Sequence, residues 1–353
     1  VAAVDWGLAR SVAVRAAGKD PFAASYHYAS LTSDFDELTA IAEDQVAAAT
    51  GLRSNAGNAR ARVTDRAGWI GANIASFQRL LRPITTRLEE HMNSPFAPIA
   101  SRVAGAEVGM VLGWMSTRVL GQYDLLVIED EAPEDQDIVY YVGPNILALE
   151  KRFAFPPREF RHWLALHEVT HRAQFTGIPW MREHFLGLVQ STVDAVDPDP
   201  KRFLDALGRV AGDLRSGKNP LDDGGVMAVF ASPEQRVTLD RVAGLMSLLE
   251  GHGDVTMDRA GADQIPSAER FGQVLRQRRQ QGNPAAKLLQ KLIGLEAKMQ
   301  QYAQGEAFIE RVEKEGGPEL LDRAWVDPSN LPTIAEIRDP EGWIARIAPT
   351  VAA

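Results

Sequence analysis

Apolar positions along this chain recur mostly every three to four residues, the spacing of one helix face. DELTAIAEDQVAAATG (36–51) repeats that pattern and ends on Gly51, suited to a left-handed helix cap. DRAGWIGANIASFQRLLRPITTRLEEHM (65–92) opens on Asp65 as an N-cap and places Trp69, Ile70, Ile74, Phe77, Leu80 and Leu81 on one side. It should kink at Pro83. VAGAEVGMVLGWMSTRVLG (103–121) carries Gly105, Gly109 and Gly113, a flat stripe that a second helix can approach closely. Glu107 and Arg118 interrupt it, so it reads as a buried helix rather than a membrane span.

Between 123 and 150 the pattern changes. YDLLVIED (123–130) and DIVYYVGPNILALE (137–150) are rich in Val, Ile and Tyr, and the acidic turn EAPEDQ separates them. They predict two strands or a hairpin. Pro156 and Pro157 then introduce a helix that Gly177 and Pro179 stop. Helices are expected again over 181–194, 200–216, 233–259, 266–280, 283–304 and 305–323, with loops at 196–200, 217–225 and 282–284. The end is Pro-punctuated and less regular. The expected class is mainly α (α+β), with a small β-sheet or hairpin next to the 157–177 helix. A single domain over 1–353 fits the length, with an N-terminal helical half (1–122) and a second half (123–353) that carries the chemistry.

That chemistry lies in WLALHEVTHRAQF, residues 163–175. His167 and His171 are one helical turn apart and so share a face, where both imidazoles can reach one metal ion at about 2.0–2.1 Å. Glu168 is about 100° round from His167, out of the direct ligand set but near a water on the metal, where a general base is wanted. The bland alternative, a core helix with two hydrogen-bonded histidines, buries three polar groups at a cost. The longer pattern with a third histidine six residues on fails, because Gln174 and Gly177 stand where Gly and His would be needed.

A third ligand must come from elsewhere, and composition narrows the choice. The chain has no cysteine, so a metal here rests on His, Asp or Glu. In DRVAGLMSLLEGHGDVTMD (240–258), Glu250 follows Leu245, Leu248 and Leu249, and Asp254 comes one turn later. Glu250 is the expected third ligand of a Zn²⁺ site, with Asp254 accepting the other N–H of a ligand imidazole. Solvated carboxylates paired with Arg241 and Arg259 are the alternative. His252 becomes a ligand if Gly251 and Gly253 distort the helix; otherwise it, Tyr140 or Tyr141 can face a developing oxyanion. His162 and His184 read as surface or second-layer groups.

A net charge of −9 argues against nucleic acid or an anionic membrane as the main partner. RQRRQQ (276–281) then reads as a solvated helix face. The start, VAAVDWGLAR, has Asp5 and no basic segment before an apolar run. It does not read as a signal peptide, and a cytoplasmic location is expected.

HEVTHRAQF followed by PW, and then LLEGHGDVTMD, resemble the bacterial zincin-like metallopeptidase family, hydrolases of unknown substrate, one branch of which is labelled as associated with deazaflavin coenzyme biosynthesis. The resemblance runs from VDWGLA to LPTIAEI. It implies a zincin-like helical fold in which His167 and His171 bind zinc, Glu168 is catalytic and Glu250 is the third ligand. The expected activity is zinc-dependent hydrolysis of a peptide or small amide, with an extended peptide adding to an edge strand near 137–143. Two other readings stand beside it. One is a helical scaffold with a structural or vestigial metal site, which a fourth protein ligand such as His252 would favour. The other is a hydrolase of small-molecule amides or esters.

Overall fold

The computed structural model describes residues 2–91, 96–125, 137–194, 233–280 and 295–348. In chain order the elements begin α1 (Trp6–Ala17), α2 (Tyr26–Thr50), β1 (Arg60–Thr64), α3 (Arg66–Leu80), α4 (Arg82–His91) and α5 (Ala97–Ser116). Next come β2 (Gly121–Tyr123), β3 (Ile138–Val142), α6 (Gly143–Phe153), α7 (Pro157–Gly177) and α8 (Met181–Asp194). The rest are α9 (Pro233–Gly261), α10 (Ala268–Gln280), α11 (Leu295–Asp322), α12 (Ile334–Arg338) and α13 (Pro340–Ile347). The fold is mainly helical with one small sheet, as the sequence pattern predicts. Among the described residues no helix is long and apolar enough to cross a membrane.

The chain divides into two compact units. The first comprises Val1–Gly177 with Thr256–Phe271. In it α1 and α5 meet backbone to backbone. A Cβ on Gly105, Gly109 or Gly113 would lie 2.4, 2.4 or 2.6 Å from the carbonyl oxygens of Asp5, Ala9 and Ala13, so only glycine permits the approach. Ala9 and Ala13 are fully buried on the facing side. The Asp65 carboxylate caps α3 by accepting from the Gly68 N–H at 2.7 Å. Trp69, Ile70 and Ile74 then join Ala13, Leu112 and Val142 in one core cluster. The chain turns at Leu81, with Pro83 in the first turn of α4, where a missing N–H costs nothing.

The sheet order is β1-β3-β2, with β1 parallel and β2 antiparallel to β3. This corrects two expectations. The strand reading of 137–150 ends at Val142, because Gly143 and Pro144 open α6, where proline is favoured. β3 is also central, paired on both sides, so an edge strand near 137–143 does not exist; β2 is the marginal strand nearer the sequence motif. The EAPEDQ turn, residues 131–136, lies outside the described residues.

α7 is fixed by two buried arginines. Arg161 is 4% exposed and donates to both carboxylate oxygens of Glu150 at 2.7 and 2.8 Å, and to Asp34. Arg172, 1% exposed, reaches Glu43 at 2.6 Å, Asp137 at 2.7 Å and the Gly57 carbonyl at 2.7 Å. Burial alone would pull the Arg172 guanidinium down, but Asp137 and Glu43 hold it above its ordinary value. Tyr123 donates to the same Asp137 carboxylate at 3.0 Å, tying β2 to the cluster.

The second unit comprises Ile178–Val255 with Gly272–Ala353. Leu248, Phe308, Ile309, Val312, Ile337 and Trp343 lie in its core. α9 runs through Gly251 and Gly253 without a break, which removes the distortion that would have turned His252 onto the Glu250 face. Gly251 instead lets another backbone in: a Cβ there would fall 2.3 Å from the Gly305 carbonyl carbon on α11. α11 is continuous past 304, where the sequence pattern predicts a junction of two helices, and bends at Gly317 (φ 71°) ahead of Pro318. The Pro-punctuated end is more regular than its sequence suggests, since Thr333 and Glu336 form a capping box that starts α12. The helix expected over 200–216, the loops at 196–200, 217–225 and 282–284, and the first part of the 283–304 helix lie outside the described residues.

Candidate metal centre

From Phe160 to Phe175 every residue of α7 is buried except His167 and His171. The helix is therefore a core rod with one opening, and the opening holds two imidazoles one turn apart. Their rings stand nearly perpendicular, centroids 4.6 Å apart, and the two Nε2 atoms are 3.3 Å from each other. Two zinc-bound nitrogens at about 2.0–2.1 Å in a tetrahedral set are about 3.3–3.4 Å apart. The observed separation is thus that of two ligands converging on one point.

The tautomer follows from the other ring nitrogen. His171 Nδ1 lies 3.0 Å from Gln174 Oε1, an amide oxygen that can only accept. Nδ1 carries the proton, and the lone pair is left on Nε2, on the side facing His167. Gln174 is fully buried and three residues along the same helix. The sequence offered this residue only as a departure from a longer histidine pattern; the i,i+3 spacing was the signal that would have found it.

His167 and His171 each offer one imidazole nitrogen, and Glu250, the expected carboxylate of the set, lies on α9. Two imidazoles and a carboxylate form a donor set suited to zinc. Glu250 is 6% exposed. His252 is outside this group; it is also buried, with its ring against Trp325 at 5.1 Å and 70°. Asp254 is half-buried on α9.

Glu168 is 7% exposed, and its arm lies against Gly121 of β2. Tyr141 is fully buried, stacked on Phe35 at 3.8 Å, and its hydroxyl is 2.9 Å from Thr39 Oγ1. Burial above all, with the Glu168 charge adding to it, drives the Tyr141 phenol far above its usual range. Tyr140, opposite Gln122 in the register, is half-buried with the Arg62 guanidinium 5.9 Å from its ring centre. His162 is buried against Gln45 at 2.7 Å and His184 is half-buried beside Trp180. A cavity of about 250 Å³ elsewhere on α7 is lined by Glu43, Arg53, Val169 and Arg172, and includes none of the candidate site residues.

No curated protein matches the chain. Among solved structures it is similar to a Chloroflexus aurantiacus protein described as a "putative hydrolase with a novel fold". The two are 31% identical with a TM-score of 0.73, and the match covers 98% of this chain and 99% of that one. Residues 4–344 match the zincin-like metallopeptidase family over nearly the whole sequence. With its paired histidines and its helical frame, this chain belongs to the zincin-like metallopeptidases.

Proposed function

We propose that this protein is a zinc-dependent hydrolase that cleaves peptide bonds. Family membership and the paired imidazoles of His167 and His171 support a metallohydrolase. The observation that carries the reading is the 3.3 Å convergence of two Nε2 atoms on the only part of α7 between 160 and 175 that is not buried. His167, His171 and Glu250 hold the ion. A zinc ion there supplies a polarised carbonyl and an acidified water.

Glu168 supplies the proton chemistry. Its carboxylate takes the proton of the attacking water and passes it to the leaving nitrogen, so that the amine departs neutral. The marginal strand β2, beside Glu168, is where an extended peptide would add its backbone.

The test pairs metal content with turnover. Zinc should bind stoichiometrically to the wild type and be lost in His171→Ala and Glu250→Ala. Glu168→Gln should keep its zinc and lose turnover of a peptide library by about 10²–10⁴-fold. Zinc retained in both ligand variants, or turnover unchanged in Glu168→Gln, would overturn the reading.

A further inference from the structure

We propose that Gly121 is a positioning residue for Glu168, there to leave the volume in which the glutamate arm is held. This rests on Glu168 acting as the proposed base. A Cβ built on Gly121 would fall 2.6 Å from Glu168 Oε1, 2.7 Å from its Cγ and 2.8 Å from its Cδ. All three separations are shorter than any real contact, so a side chain at 121 and the present place of the Glu168 carboxylate exclude each other.

Backbone conformation does not call for glycine here, since Gly121 is not among the residues with positive φ. Nor is the obstruction of the kind seen on α5. Gly105, Gly109 and Gly113 each face the backbone of α1, which cannot yield, whereas the three atoms nearest a Cβ on Gly121 all belong to the Glu168 side chain. The group that a methyl at 121 meets first is therefore the Glu168 arm. The methyl's effect falls on where the carboxylate sits.

The strand cannot give way in place of the arm. Gln122 accepts from the Trp69 indole at 2.8 Å, and the Tyr123 hydroxyl is bound to Asp137. Tyr141, the register partner of Gly121, is locked between Phe35 and Thr39. Glu168 is the part that must shift, and a misplacement of about 1 Å in a reacting group can cost about 10²-fold.

The test needs no known substrate. Acetohydroxamate chelates zinc through its two oxygens, and its hydroxyl proton passes to a neighbouring carboxylate. Its affinity for the zinc-loaded protein, measured by calorimetry, reads the position of that carboxylate. Gly121→Ala should keep its zinc and its Tm and bind acetohydroxamate at least about ten-fold more weakly. Glu168→Asp withdraws the carboxylate by one methylene, so it should weaken binding beside Gly121 but cost little more in the Gly121→Ala background, where the carboxylate is already displaced. That non-additivity is a coupling that a general loss of structure would not produce.

Wild-type affinity in Gly121→Ala, or equal weakening by Glu168→Asp in both backgrounds, would overturn the inference and leave the proposed function standing. Unchanged affinity in Glu168→Gln would remove the base itself, and this inference with it.

Discussion

His171 donates its Nδ1 proton to the side-chain oxygen of Gln174, 3.0 Å away on the next turn of the same helix. This bond fixes both the tautomer and the plane of the ring, and so the direction in which the free Nε2 points. Gln174→Leu keeps the volume and removes the acceptor. We expect zinc affinity, read by competition with a chromophoric chelator, to fall about 10–100-fold with little change in Tm of the metal-free protein. Affinity unchanged would show that packing alone orients the ring.

The contact between α1 and α5 makes a paired prediction about glycine. Gly109→Ala places a methyl 2.4 Å from the Ala9 carbonyl, a backbone atom, and should destabilise by about 1–3 kcal/mol or more. Gly187 is also helical but exposed, and a Cβ there would meet nothing within 4 Å. Gly187→Ala should stabilise by about 0.5–1 kcal/mol. Urea denaturation of the two variants should give shifts of opposite sign.

Arg172 makes a harsher prediction. Its removal leaves Asp137 and Glu43 facing each other without the guanidinium that joins them. Arg172→Met should cost about 3–5 kcal/mol, the penalty for stranding buried charge. Arg158 pairs with Glu37 on the exposed surface, and Arg158→Met should change stability by less than about 1 kcal/mol. Similar losses in both variants would mean that the Arg172 cluster is as solvated as the surface pair.

His162 gives stability a pH dependence. Burial first, and then the Arg158 charge, hold its imidazole below the ordinary value. As pH falls, the unfolded chain takes up a proton near pH 6.5, while the folded chain resists it. This contribution is complete above about pH 6.5 and is lost progressively as the pH falls below it. His162→Gln should therefore flatten the fall in Tm on the acid side of about pH 6.5 relative to wild type. Parallel Tm curves for the two proteins would assign that fall to other groups.

Much of this architecture was legible because its causes are local. Gly51, Asp65 and Gly177 mark helix ends through their own backbone or side-chain chemistry, and the Gly105–Gly109–Gly113 stripe announced a close partner without saying which. The two histidines and Glu168 could be placed on one helix from spacing alone. What could not be read was long-range order. β1 lies far upstream of β3, and its sequence RARVT carries two charges, so nothing marked it as the strand that makes β3 central. α6 was hidden because a β-rich run flows into a helix without a polar gap, and only Pro144 marks the change. Gln174 stands three residues after His171, a spacing that places it within reach, but which ring nitrogen it meets depends on the orientation of the imidazole.

The two buried arginines of α7 stand eleven residues apart and bracket His167 and His171 in sequence. A helix pinned at both places can neither roll nor slide without tearing an ion pair from its partners. Its two imidazoles are thus aimed by the protein's own architecture, before any ion arrives. Capture of a metal then needs little ordering of the chain, in contrast to small zinc domains that exist only as long as the metal does. Stripped by a chelator, this protein should remain folded, its amides along α7 among the slowest to exchange with deuterium, and refill without refolding.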